Sequence, residues 1–190
     1  PYHEGSVMTI LQIDSSITGA NSVSRVLTKR IVDQLTSGND AGVIRRDLVA
    51  EPLEHLTLGS FADTSVLDEF LAADTVVIGA PMYNFTLPSQ LKAWLDRIVV
   101  NGRTFRYTAE GKPEGLAGPK RVIIALSRGG VYGSEMGNAE FEHLETYLKA
   151  IFAFIGLTPE FVRADGINLG PDIKAKAVET ALGEVEKLAA

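Results

Sequence analysis

The sequence predicts an α/β chain of three layers, a five-stranded parallel sheet with helices packed on both faces. Three observations carry that reading. Short β-branched runs alternate with segments whose apolar residues recur at helical spacing, from one end of the chain to the other. Three strand runs, at 7–13, 75–80 and 121–126, are apolar on successive rather than alternate residues, as strands buried on both faces require. A chain of 190 residues, 45% hydrophobic, buries about two-thirds of its unfolded surface, so one core needs neither disulfide nor metal.

Residues 7–13 form the first expected strand, ending at Asp14. A small polar loop over 15–21 leads into a helix whose Val23, Val26, Leu27, Ile31 and Leu35 share a face, with Asn21 or Ser22 placed to cap it. Residues 43–48 read as the second strand. From 51 to 65 turn residues prevail without a period, an exposed connection. A short helix over 66–72 precedes the third strand at 75–80. Pro88 opens a helix with Leu91, Trp94, Leu95 and Ile98 on one face. A long loop at 101–119, rich in glycine and aromatics, leads to the fourth strand at 121–126. The next helix sets Phe141, Leu144, Leu148, Ile151 and Ile155 on one stripe and stops at Gly156. A last strand at 160–164 and a helix over 171–188, through Ile173, Ala177, Ala181 and Val185, complete the chain. Five strands joined by helices accommodate the flavodoxin-like order 2-1-3-4-5. Residues 1–7 read as an expression remnant with Met8 as the native start, and 8–190 as a single domain.

Composition narrows the function. The net charge of −6 argues against a nucleic-acid partner, which wants a basic face. Without cysteine there is no disulfide framework, thiol nucleophile or thiolate metal site, and a cytoplasmic home is consistent. No apolar run approaches the ~18–20 residues of a membrane span, so no membrane partner is expected. His3, His55 and His143 are scattered without metal-ligand spacing, and read as solvent-exposed. Glu140, Glu142 and Glu145 read as a solvated helix face.

Sheets of this kind bind ligands beyond the carboxyl ends of their strands, which directs attention to three loops. In the first, Ser15, Ser16, Thr18, Ser22 and Ser24 meet at a helix N-terminus, where hydroxyls, N–H groups and the helix dipole favour an anion such as phosphate. The same loop fits a capped helix preceded by a polar turn. In the second, Pro81 and Pro88 bracket Met82, Tyr83, Asn84 and Phe85, against which a planar apolar ligand could lie while Asn84 and main-chain N–H groups bind its polar edge. A hydrophobic turn under the next helix is the plainer reading. In the third, Gly129 and Gly130 follow Ser127 and Arg128 and permit close backbone approach with exposed N–H donors. A flexible connection is the alternative. Three such loops at one sheet edge favour a shared site.

These residues resemble the FMN-dependent NADH-azoreductases, also described as NAD(P)H:quinone oxidoreductases. The resemblance runs from Met8 almost to the C-terminus. It rests on Ser15-Ser16 with Ser22-Val23-Ser24, on the stretches at 80–85, 104–108 and 113–116, on Ser127-Arg128-Gly129-Gly130, and on Phe154-Ile155-Gly156. It implies a flavodoxin-like fold and a bound FMN, with NADH or NADPH as donor. The implied reaction is ping-pong two-electron (hydride) transfer to a quinone or azo acceptor. By the same resemblance Ser16, Ser22 and Ser24 bind the FMN phosphate with backbone from Val23. Met82, Tyr83, Asn84 and Phe85 line the ribityl chain and ring, with Asn84 at the pyrimidine edge. Gly129 and Gly130, beside Ser127 and Arg128, present N–H groups near the flavin O2. Tyr107 and Phe154 match aromatic positions bordering the substrate side in a homodimer, although the residues alone fit an aromatic loop plug at Tyr107 and core burial at Phe154 equally well. Family members commonly carry a longer segment between the second and third strands, with an arginine near the substrate; here 53–67 is short and has none. The alternative function is a flavodoxin-like FMN electron carrier that does not oxidise nicotinamide directly.

Overall fold

The structure, a computed structural model, describes residues 7–38 and 40–188. Apart from Val7, the segment read as an expression remnant lies outside the described residues, as does His3. The parallel sheet comprises β1 (Met8–Asp14), β2 (Ala41–Asp47), β3 (Thr75–Pro81), β6 (Arg121–Arg128) and β7 (Glu160–Asp165). Its order is β2-β1-β3-β6-β7, the order expected from the sequence. The numbering differs because a small antiparallel hairpin, β4 (Phe105–Tyr107) and β5 (Pro113–Gly115), interrupts the segment expected as loop.

The buried strands explain the layers. Alternate side chains point to opposite faces of a strand, and both faces here are apolar. Leu11, Ile13, Val76, Ile78, Val122 and Ile124 face one way. They pack under α3 (Ser65–Ala72), α4 (Ser89–Ile98) and α5 (Glu145–Phe154), which contribute Phe70, Trp94, Leu148 and Phe152. Ile10, Val77, Ile123 and Val162 face the other way, under α1 (Val23–Thr36) and α6 (Pro171–Val185). Burying each such side chain contributes about 1.5–3 kcal/mol, which is why β1, β3 and β6 occupy the middle of the sheet. Their carboxyl ends share one edge, and the register pairs Pro81 with Ser127 and Asp14 with Asp47.

Several sequence expectations require correction. The connection at 51–65 contains a short helix, α2 (Leu58–Phe61), begun by a capping box between Thr57 and Ser60. The helix expected to include Phe141 starts only at Glu145. The reason is the Glu142 carboxylate, which accepts the N–H groups of Leu144, Glu145 and Thr146 and so caps the helix there. Phe141 therefore leaves the stripe and is 45% exposed. Glu142 and Glu145 are not solvated, because both face the buried Arg128; only Glu140 is exposed. The last helix ends at Val185, and Ile173 is exposed rather than part of its buried stripe. His55 and His143 are exposed, as expected.

Candidate active site

The first loop is organised by Ser22. It caps α1, its Oγ accepting the Arg25 N–H at 3.2 Å and lying 3.1 Å from Ser24 Oγ. Ser16, Ser22 and Ser24 are all buried. Arg25 braces the loop from outside: Nε and Nη2 donate to the Ser16 carbonyl, while Nη1 and Nη2 grip Asp47 at 2.7 and 2.8 Å. That guanidinium holds the Asp47 carboxyl down at about 2. Beneath the loop, Asp14 accepts hydrogen bonds from Thr28 and Gln12, yet burial pushes its pKa up. A groove of about 560 Å³ lies beside Ser16, Ser22 and Arg25.

The second loop is a two-residue turn. Tyr83 and Thr86 exchange both backbone hydrogen bonds, and Asn84 and Phe85 between them hold φ of 47° and 72°. Positive φ at both central residues matches the twist of a hairpin but strains residues other than glycine. The turn is tied to its neighbours on both sides. Tyr83 Oη accepts the Ile17 N–H at 3.1 Å and lies 3.3 Å from Ser16 Oγ. Phe85 O accepts the His143 N–H, and Thr86 Oγ1 donates to His143 O.

The third loop is held by its carbonyls. Those of Arg128, Gly129 and Gly130 accept N–H groups from Ile167, Asn168 and Gly166 beyond β7. Gly129 is covered by the Asn168 side chain: a Cβ there would lie 2.5 Å from Asn168 Nδ2. The Arg128 side chain is buried and turns away from the loop. Nε and Nη2 bind Asp165 at 2.6 and 3.0 Å, and Nη1 reaches Glu142 at 3.3 Å. Glu145 completes this cluster, gripped by Arg163 and Lys149, and the Arg163 hydrogen bonds bring its carboxyl down to about 2.

Unpaired main-chain donors line the three loops. Among the described residues, the N–H groups of Val23, Ser24, Asn84, Phe85, Gly129 and Gly130 make no hydrogen bond. Backbone donors seldom stay unpaired without water or a ligand to receive them. The set is entirely donors and hydroxyls around apolar Met82, Tyr83 and Phe85. It suits a planar molecule with a phosphate at one end and carbonyl acceptors at the other. Among the described residues there is no cluster of metal ligands, and no helix is long and apolar enough to cross a membrane.

The family model described as flavodoxin-like fold matches residues 8–189. The chain belongs to that family. A curated relative from Bradyrhizobium diazoefficiens, FMN-dependent NADH:quinone oxidoreductase 2, is 53% identical over 203 residues, spanning 96% of this chain and all of the relative. Those aligned positions exceed the 190 residues of this flavodoxin-like chain, so the relative carries residues that are missing here. An azoreductase from Bacillus anthracis str. Sterne superposes with a TM-score of 0.87 at 29% identity, over 95% of this chain and 98% of that one. An FMN-dependent NADH-azoreductase of B. anthracis str. Ames Ancestor, solved in complex with FMN, shares the fold with a TM-score of 0.83 at 23% identity, over 97% of this chain and all of that one.

Of the residues singled out from sequence, the fold brings those of the three loops to one edge. Tyr107 and Phe154 instead gather around Phe105, at ring distances of 5.7 and 4.6 Å, on the hairpin and the end of α5. Phe141 and Tyr132, absent from the expected site, join it through Phe85. Phe141 stacks on Phe85 at 5.2 Å, and Tyr132 meets it edge-on at 6.4 Å.

Proposed function

We propose that this flavodoxin-like chain is an FMN-dependent NADH:quinone oxidoreductase that also reduces azo compounds, its flavin held by the three strand-end loops. The observation that carries the assignment is the 53% identity to an enzyme of that name across nearly the whole chain. The fit of FMN to these residues is supported by the unpaired N–H donors on all three loops.

In this reading Ser16, Ser22 and Ser24, with the Val23 and Ser24 N–H groups, receive the phosphate at the positive end of the α1 dipole. Met82, Tyr83 and Phe85 flank the ribityl chain and ring, and Asn84 binds the pyrimidine edge. Gly129 and Gly130 donate N–H bonds on the O2 side, where negative charge develops on reduction. Ser127 takes part through its carbonyl, which accepts the Met82 N–H at 2.8 Å and ties the second loop to the third. Arg128 serves as a positioning residue, since its guanidinium is committed to Asp165 and Glu142. Bound FMN would supply the two-electron chemistry that links the nicotinamide to the acceptor.

The enzyme works as a cytoplasmic homodimer in this account. Tyr107, 57% exposed on its hairpin, and half-buried Phe154 form an aromatic group apart from the three loops, suited to bordering the acceptor on a second copy. Residues 8–190 act as one flavin-binding unit. Purified protein supplied with FMN is expected to oxidise NADH in the presence of 1,4-benzoquinone. Comparing NADPH sets the donor preference, and absence of turnover with either donor overturns the assignment.

A further inference from the structure

Phe85, Phe141 and Tyr132 form a ring cluster where the second and third loops meet. The Phe85 and Phe141 rings lie 29° from parallel, and Tyr132 stands at 82° to Phe85. Tyr132 also covers Gly130, its ring atoms lying 3.5 Å from where a Cβ would be. Neither Phe85 nor Phe141 belongs to the buried core, and both are nearly half exposed. Phe141 in particular packs under no helix. Its short turn, Ala139–Phe141, stands clear of α5 because Glu142 starts the helix later. The turn that presents Phe85 is itself held in the left-handed region, a cost that tends to persist at functional sites. Offset ring stacking is how such a surface gains most from a flat apolar molecule.

We infer that Phe141, backed by Phe85 and Tyr132, is a specificity-determining residue for the electron acceptor, a stacking platform within the same subunit that favours fused-ring quinones over single-ring ones. The inference rests on the functional reading above and adds the acceptor class to it. A three-ring acceptor can cover the platform; a single ring leaves most of it in water. The three rings are continuous with the loops that carry the unpaired N–H donors at Asn84, Phe85 and Gly130.

The test compares wild type, Phe141→Ala and Phe141→Trp as FMN-loaded protein. Anthraquinone-2-sulfonate binding to the oxidised protein is read by calorimetry without nicotinamide, next to steady-state kcat/KM for that quinone and for 1,4-benzoquinone. Phe141→Ala is expected to weaken anthraquinone-2-sulfonate binding about tenfold, the loss of one good ring contact. Its effect on benzoquinone should be markedly smaller, FMN affinity should be unchanged, and Phe141→Trp should retain the binding. Equal losses for both quinones, an unchanged dissociation constant, or a parallel loss of FMN each overturn the platform. So does a change in subunit association with quinone binding intact, which makes the cluster an intersubunit contact. If the wild type turns over no quinone at all, the functional reading fails instead, and the calorimetry still decides whether the rings bind a flat molecule.

Discussion

Gly115 and Gly156 meet backbone to backbone, so closely that a Cβ on Gly115 would lie 2.1 Å from the Gly156 nitrogen. Gly156 ends α5 with φ of 88°, and Ala117 donates its N–H to Ile155 O at 3.1 Å. This contact seats the β4–β5 hairpin on the end of α5 and brings Phe105 over Phe154. Because backbone rather than a pliable side chain opposes the new atom, Gly115→Ala is expected to cost about 3 kcal/mol, the upper end for overpacking. Urea denaturation with an unchanged m-value checks it.

The strained turn gives a second expectation. Asn84 and Phe85 both hold positive φ, which glycine adopts freely and β-branched residues resist. Asn84→Gly should leave stability within about 1 kcal/mol of wild type, whereas Asn84→Val should cost about 1–3 kcal/mol. Thermal melts of the FMN-free protein separate the two without interference from flavin contacts.

Acid sensitivity should centre on the carboxylates gripped by arginine. Arg163 holds Glu145, and Arg25 holds Asp47, each at about 2. A folded pKa below the unfolded value means stabilisation that is complete above the ordinary carboxylate range. It is then lost as pH falls toward 2. Stability measured by urea at pH 7, 5 and 3 should therefore decline most steeply between the last two. Glu145→Gln leaves the part-exposed Arg163 and Lys149 facing a neutral partner, so it should cost about 1 kcal/mol at pH 7 and flatten the acid slope. An undiminished slope in that variant contradicts the assignment.

Arg128 offers a test of positioning. Its fork spans β6, β7 and the cap of α5, and lysine keeps the charge but not the bidentate geometry. Arg128→Lys should weaken FMN about tenfold by loosening the Gly129 and Gly130 donors, equivalent to about 1.4 kcal/mol. It should also shift the flavin midpoint potential, which a purely structural arginine would leave alone. Fluorescence quenching of FMN and a redox titration read the two effects.

Much of the fold was legible because it rests on burial. Apolar runs on both faces marked β1, β3 and β6 as central strands, and cap chemistry at Ser22 and Pro88 located α1 and α4. The site loops were legible from strand-end position together with hydroxyl and glycine composition. What escaped the sequence depends on long-range partners. Nothing local to Glu142 and Glu145 shows that Arg128 and Arg163, on β6 and β7, will bury them. For the same reason Phe141 fitted a helical stripe by spacing, when the Glu142 cap starts the helix after it. The hairpin at 105–115 was hidden because its strands are three residues each, too short for a period, and because Gly115 acts through Gly156, distant in sequence.

The most direct test of the central claim is an anaerobic titration of the FMN-loaded protein with NADH, followed by 1,4-benzoquinone, monitored by flavin absorbance. The account predicts that one equivalent of NADH bleaches the flavin and one equivalent of quinone restores it. A protein that binds no FMN, or whose flavin is bleached by dithionite but not by NADH, contradicts it.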